Sequence, residues 1–142
     1  MRVGAILEYI LERYGAGRLA PPVGSPGRAA FLQWVHFAES TAFPPLGIVV
    51  WLTLYRDDTE RYTALVADAR SRAATGLEFL ARELGSQPYL LGGEFSAADI
   101  MMGFTLVAAR MLGVLDDRYP TLDTYLARRE ARPAFSKAAA EG

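Results

Sequence analysis

Side chains able to do chemistry are few in this chain, and their types already exclude much. Histidine occurs once, at His36, and cysteine is absent. Disulfides, thiolate metal sites and a cysteine nucleophile are therefore excluded. A lone imidazole without a second His or a Cys does not make a usual metal site, so His36 reads as a surface or capping hydrogen-bonder and no metal is expected. Carboxylates are paired at Asp57-Asp58 and at Asp116-Asp117. Both pairs stand beside helix ends, where acids act as caps or solvated turns. The most ordered pattern is Phe95-Ser96-Ala97-Ala98-Asp99-Ile100. Here Ser96 can accept from the Asp99 amide while the Asp99 carboxylate reaches back to the Ser96 amide, with Phe95 and Ile100 at the two staple positions. The carboxylate also lies at the positive end of the helix dipole. Ser96 and Asp99 thus hold the start of a helix and do no chemistry themselves.

The elements that surround this box are legible from spacing. From Gly4 to Tyr14, Ile6, Leu7, Ile10 and Tyr14 keep a three-to-four period until Gly15 and Gly17 stop it. Leu19 to Gly27 holds too many prolines and glycines for regular structure and reads as a linker. Ser25-Pro26 reads as an N-cap followed by proline at the first helical position. The helix that follows carries Phe31, Trp34, Val35, Phe37 and Ala38, and Pro44-Pro45 must kink or break it before Val49, Val50, Leu52 and Tyr55 continue. One long bent helix is expected. Between Asp57 and Leu84 a single apolar stripe runs from Tyr62 to Leu84, with Asp68–Arg72 and Glu78–Arg82 as i,i+4 pairs outside it. Gly85 ends it. The helix opened by Ser96 is apolar nearly all round to about Leu112 and must be buried on every side. After Tyr119-Pro120, Leu122, Tyr125 and Leu126 mark another helix, Pro133 interrupts it, and Ala134 to Ala140 can form a final turn or two. No segment alternates like a half-buried strand, so the fold class is all-α: a bundle with a long bent helix and a buried central helix.

Composition agrees with one compact domain. The chain has 142 residues, 51% of them hydrophobic, and 15 basic against 16 acidic residues give a net charge of −1. No basic stripe tracks a phosphate backbone, so no nucleic-acid partner is expected. Glu8 interrupts the opening residues where a secretory signal needs an unbroken apolar run, and a cytoplasmic location is the simplest expectation. The apolar run Ile100 to Ala109 is too short to cross a bilayer, so no membrane partner is expected.

The box directly after Tyr89-Leu90-Leu91-Gly92-Gly93, and ahead of a wholly apolar helix, resembles the helical carboxyl-terminal domain of the glutathione transferase family. The resemblance extends to Trp34 with Phe37-Ala38-Glu39, to Tyr119-Pro120 with Tyr125-Leu126, and to Arg132-Pro133-Ala134-Phe135. It covers essentially the whole chain and implies a division into residues 1–18, the last helix of a thioredoxin-like domain otherwise absent; 19–27, a linker; and 28–142, the helical domain. In the family, glutathione is the co-substrate and its thiolate attacks an apolar electrophile. The thiol is activated in the thioredoxin-like domain, and the helical half supplies the wall for the electrophile. The matching wall positions are Phe37, Thr41, Phe43 and Met102, for which plain core packing is the standing alternative.

Where the family carries a Glu/Gln-Ser pair for the γ-glutamyl end of glutathione, this chain has Arg2 and Val3. Beta-type members place a His-Lys pair where Phe43-Pro44 stand, so His36 does not take that role. Catalytic residues are therefore expected to be missing, glutathione is not expected to bind to this chain alone, and the chain is expected to be inactive unless a separate thioredoxin-like domain is supplied. Ile6, Leu7 and Ile10 would leave apolar surface in water without a covering sheet. A homodimer or a separate thioredoxin-like domain is the expected partner, with a small apolar ligand as a third possibility. The alternative function is a non-catalytic interaction or dimerisation module, as this fold serves in translation factors and synthetases.

Overall fold

The computed structural model describes residues 3–141, and Arg2 lies outside them. Among the described residues the chain is all helix. It runs through α1 (Val3–Tyr14), α2 (Gly27–Phe37), a π turn (Ala38–Ala42), α3 (Phe43–Leu54), a short 3-10 turn (Thr59–Tyr62), α4 (Thr63–Leu84), α5 (Ala97–Met111), α6 (Pro120–Glu130) and α7 (Pro133–Glu141).

The prolines shape the longest element without interrupting it. In a regular α-helix the Pro44 ring would press on the preceding turn and leave a carbonyl without its donor. The π turn resolves this by taking in one extra residue, so that the Phe43 N–H reaches the Ala38 carbonyl five residues back. Gly27 to Leu54 is thereby one bent helix of 28 residues. It, and not the stretch from Ile100, is long and apolar enough to cross a membrane by length and composition. In the bundle its Phe31, Val35, Leu46 and Val49 are buried in the core.

The start of this helix differs from the expected cap. Pro26 itself takes the cap position with helical backbone angles and no side-chain bond, and the Ser25 hydroxyl is buried without a partner among the described residues. On α4, Arg72 pairs with Asp68 at 3.1 Å as spacing suggests, whereas Arg82 turns to the adjacent Glu83 at 3.2 Å and not to Glu78. Stacking on the Phe79 ring, 5.2 Å away, holds the Arg82 side chain there. The α4 helix stops at Gly85, whose φ of +53° other residues rarely adopt.

α5 is the axis of the bundle. Ala97, Ala98, Met102, Leu106 and Ala109 are fully buried along it, packed with α2 and the π turn on one side and α6 on the other. Arg70 ties α4 to its far end by donating to the Leu112 carbonyl at 2.6 Å. At its near end the Ala97 N–H donates to the Leu19 carbonyl at 2.8 Å, which fastens the 15–26 connection to the bundle. α1 lays Leu7 and Leu11 on the core and leaves Ile6, Tyr9, Ile10 and Tyr14 exposed.

Candidate functional site

Between the π turn, the first residues of α1 and one face of α5 lies a cavity of about 500 Å3. Phe43 and Pro44 form one wall and Ile100, Met101, Phe104 and Thr105 the other, with Val3, Ala38 and Glu39 at the end. The volume is that of a site for a small organic molecule. Phe43 and Phe104 face each other with centroids 5.3 Å apart and planes tilted by 35°, so the two walls meet through aromatic surface. Phe104 keeps 64% of its surface exposed and the space between the walls is open to solvent on that side.

A single carboxylate stands in this apolar setting. Glu39 accepts the Gly4 N–H at 2.9 Å, one of the amide groups that the first turn of a helix leaves without an internal partner. Its charge also meets the positive end of the α1 dipole. Neither tyrosine, serine nor cysteine stands among the lining residues.

Of the positions singled out by resemblance, Phe43 lines this cavity. Met102 is fully buried in the core, and its neighbour Met101 lines the cavity instead. Phe37 packs 5.6 Å from Trp34 and 5.1 Å from Phe79 of α4, and it does not line the cavity. Thr41 is exposed to solvent and is not one of the lining residues. Phe104, Ile100 and Thr105 are wall residues that spacing did not single out. Because α5 is apolar on all sides, its sequence carries no phase to show which stripe faces the cavity.

Ser96 and Asp99 lie behind this site and hold α5 in place. Asp99 is fully buried. Its Oδ2 accepts the Ser96 N–H at 2.8 Å and the Ser96 hydroxyl at 3.0 Å, while the Asp99 N–H lies 3.1 Å from the Ser96 carbonyl. Its Oδ1 accepts the Leu90 N–H at 3.0 Å and the Tyr125 hydroxyl at 2.8 Å. One carboxylate therefore joins the start of α5, the 89–92 turn and α6. Burial, and then the negative charge of Asp99, push the Tyr125 phenol far above its ordinary range. Tyr125 is a proton-holding strut, not an acid.

The other candidate groups settle into surface roles. His36 is exposed. The Arg56 guanidinium grips Asp58 through 2.8 and 2.9 Å bonds and holds its carboxyl below the usual range. Arg118 does the same for Asp116 at 2.9 Å. Among the described residues no group of three or more His, Asp or Glu side chains is placed to hold a metal.

Residues 63–128 match the family model described as the glutathione S-transferase C-terminal domain. The chain carries a glutathione S-transferase C-terminal helical domain. A glutathione S-transferase-like protein of Beauveria bassiana, OpS6, is 27% identical over 96% of this chain and 65% of its own length. A sphingomonad glutathione S-transferase solved with glutathione is 28% identical, with a TM-score of 0.78 over 97% of this chain and 65% of that one. BphK, a bacterial enzyme of this family solved as a ternary complex, is 26% identical with a TM-score of 0.80. The fold agrees further with URE2P6 of Phanerochaete chrysosporium, at a TM-score of 0.88 and 22% identity. The chain spans about two thirds of the length of these relatives.

Proposed function

We propose that this chain supplies the apolar-electrophile wall of a glutathione transferase, the family reaction being attack of the glutathione thiolate on an apolar electrophile. The observation that carries this reading is the cavity between the π turn and α5, with Phe43 facing Phe104 and apolar side chains on both sides. Such a surface binds an aromatic or aliphatic substrate by burial and ring stacking and leaves its reactive carbon free to the open side. Thiolate formation needs a positioned donor or a cationic setting. The lining offers instead Glu39, whose charge opposes a second anion. On this reading the activating group and the glutathione site come from a thioredoxin-like domain packed over α1 and the open side of the cavity. Val3, at the start of α1, carries no hydroxyl for a γ-glutamyl contact.

The purified chain with glutathione and 1-chloro-2,4-dinitrobenzene is expected to give no rate above the uncatalysed one. Activity is expected when a glutathione-binding thioredoxin-like domain is joined ahead of Val3. Turnover by the chain alone would refute the division of labour, and a folded two-domain protein that stays inactive would refute the transferase reading.

A second reading rests on a different surface. Ile6, Tyr9, Ile10 and Tyr14 are exposed along α1, and Trp51 stacks on Tyr55 at the exposed end of α3. These faces suit a protein partner or a second copy of the chain in an interaction module. Sedimentation as a monomer at micromolar concentration would count against it.

A further inference from the structure

A second cavity, of about 270 Å3, also bordered by Ile100, lies between the start of α5, the end of α6 and α7. Leu19, Phe95, Ile100, Ala134, Phe135 and Ala138 line it, together with Arg129 and Arg132. Among the described residues it is an apolar space with two cations and no carboxylate among its walls.

Arg129 is the unusual member. It is 7% exposed, and among the described residues its Nε–H has no hydrogen-bond acceptor. Its guanidinium lies 4.6 Å from the centre of the Phe135 ring. The neighbouring carboxylate, Glu130, is engaged by Arg110 at 2.8 Å. Burial moves the Arg129 pKa down from its usual value, yet a guanidinium stays charged in proteins. A buried cation that lacks an acceptor is costly, and an anion set against the end of its guanidinium in the cavity would offset the charge. The helix opposite leaves room for this side chain. A methyl group on Gly103 would overlap the Arg129 Cδ, Nε and Cζ atoms. Arg132 adds a second cation at the same cavity, its guanidinium 3.7 Å from the centre of the Phe95 ring.

We propose that this cavity binds a small apolar monocarboxylate, its carboxylate on the Arg129 guanidinium and its hydrocarbon against Phe95, Ile100 and Phe135. The recognised chemistry is one negative charge on a short aliphatic or aromatic body. A phosphate or another strongly hydrated anion would lose its water to apolar walls without enough donors in return. The site is separate from the wall formed by Phe43 and Phe104.

The test is calorimetric titration of the full chain with hexanoate, and with hexanol as the neutral probe of the same body. Saturable hexanoate binding is expected, at least tenfold tighter than hexanol. Arg129→Met keeps the hydrocarbon volume and removes the charge, so its circular dichroism stays native while hexanoate affinity falls at least tenfold. Ala138→Phe fills the cavity while keeping the Arg129 charge and is expected to abolish binding. Phe104→Ala, in the other cavity, is expected to leave hexanoate affinity unchanged. No saturable binding to the wild-type chain at millimolar hexanoate would overturn the proposal. So would unchanged affinity in folded Arg129→Met, or loss of binding in Phe104→Ala.

Discussion

Replacing Asp99 by Ala removes far more than a helix cap. If Asp99 served the start of α5 alone, the loss would be that of a typical cap, about 1 kcal/mol. In the structure the same carboxylate also accepts the Leu90 N–H at 3.0 Å and the Tyr125 hydroxyl at 2.8 Å. The substitution strands these donors and the Ser96 N–H in a fully buried place. Each stranded buried donor costs about 1–3 kcal/mol, offset in part because a buried carboxylate no longer has to be desolvated. A net loss of about 3–5 kcal/mol follows, a large share of the stability of a domain this size. Urea unfolding followed by far-ultraviolet circular dichroism reads it as a fall in midpoint at unchanged slope. Tyr125→Phe removes one of the donors and is expected to cost about 1–3 kcal/mol, the value of a bond to a charged group. In the double variant the two losses should add to less than their sum, since the bond between them is counted in both. A loss of 1 kcal/mol or less for Asp99→Ala would show that the links to Leu90 and Tyr125 contribute nothing.

Further outcomes follow from the same geometry. The buried Tyr125 phenol keeps its proton where an unfolded one, with a pKa of about 10, loses it. The native state then binds more protons above that pH, so this group's contribution is constant below pH ~10 and is lost as pH rises beyond it, by about 1.4 kcal/mol per pH unit. Tyr125→Phe should therefore show a shallower alkaline fall in stability, and an unchanged slope would sink the point. Gly103→Ala should destabilise by about 1–3 kcal/mol through overlap with the Arg129 stem. Pairing it with Arg129→Ala should recover most of that loss in thermal unfolding, and simple additivity would contradict it. Gly85→Ala should cost about 1 kcal/mol or more because of the positive φ that ends α4, which denaturant titration would show.

How far these features could be read in advance depended on whether a residue's role is local. The bounds of α1 and α5 and the end of α4 follow from apolar period and from Gly85, whose effects act within a turn, whereas the stripe begun at Tyr62 ran past the 3-10 turn at Thr59–Tyr62 that precedes the true start of α4 at Thr63. The bent helix was legible through Pro44-Pro45, but not the π turn, because the sequence does not say which neighbouring turn takes the extra residue. Ser25 looked like a cap since the rule considers only the next few residues, and the backbone at Pro26 entered the helix one position later. Asp99 was legible as half of a local pair and not as the acceptor for Tyr125, 26 positions away. Met102 and Met101 differ by one helical step, and an all-round apolar helix offers nothing to choose between them. Arg129 carried no signal at all: on an amphipathic helix a lone arginine reads as solvated, and only the packing of α5 and α7 buries it.

The most direct test of the proposed wall is calorimetric titration of the chain with 1-chloro-2,4-dinitrobenzene in the absence of glutathione, comparing wild type with Phe104→Ala. Phe104 is mostly exposed, so its truncation leaves the fold intact while removing half of the aromatic pair across the cavity. One saturable site in the wild type, weakened about tenfold in Phe104→Ala, is the predicted result. Equal affinity in the two proteins, or no saturable binding in the wild type, would contradict the assignment of this cavity.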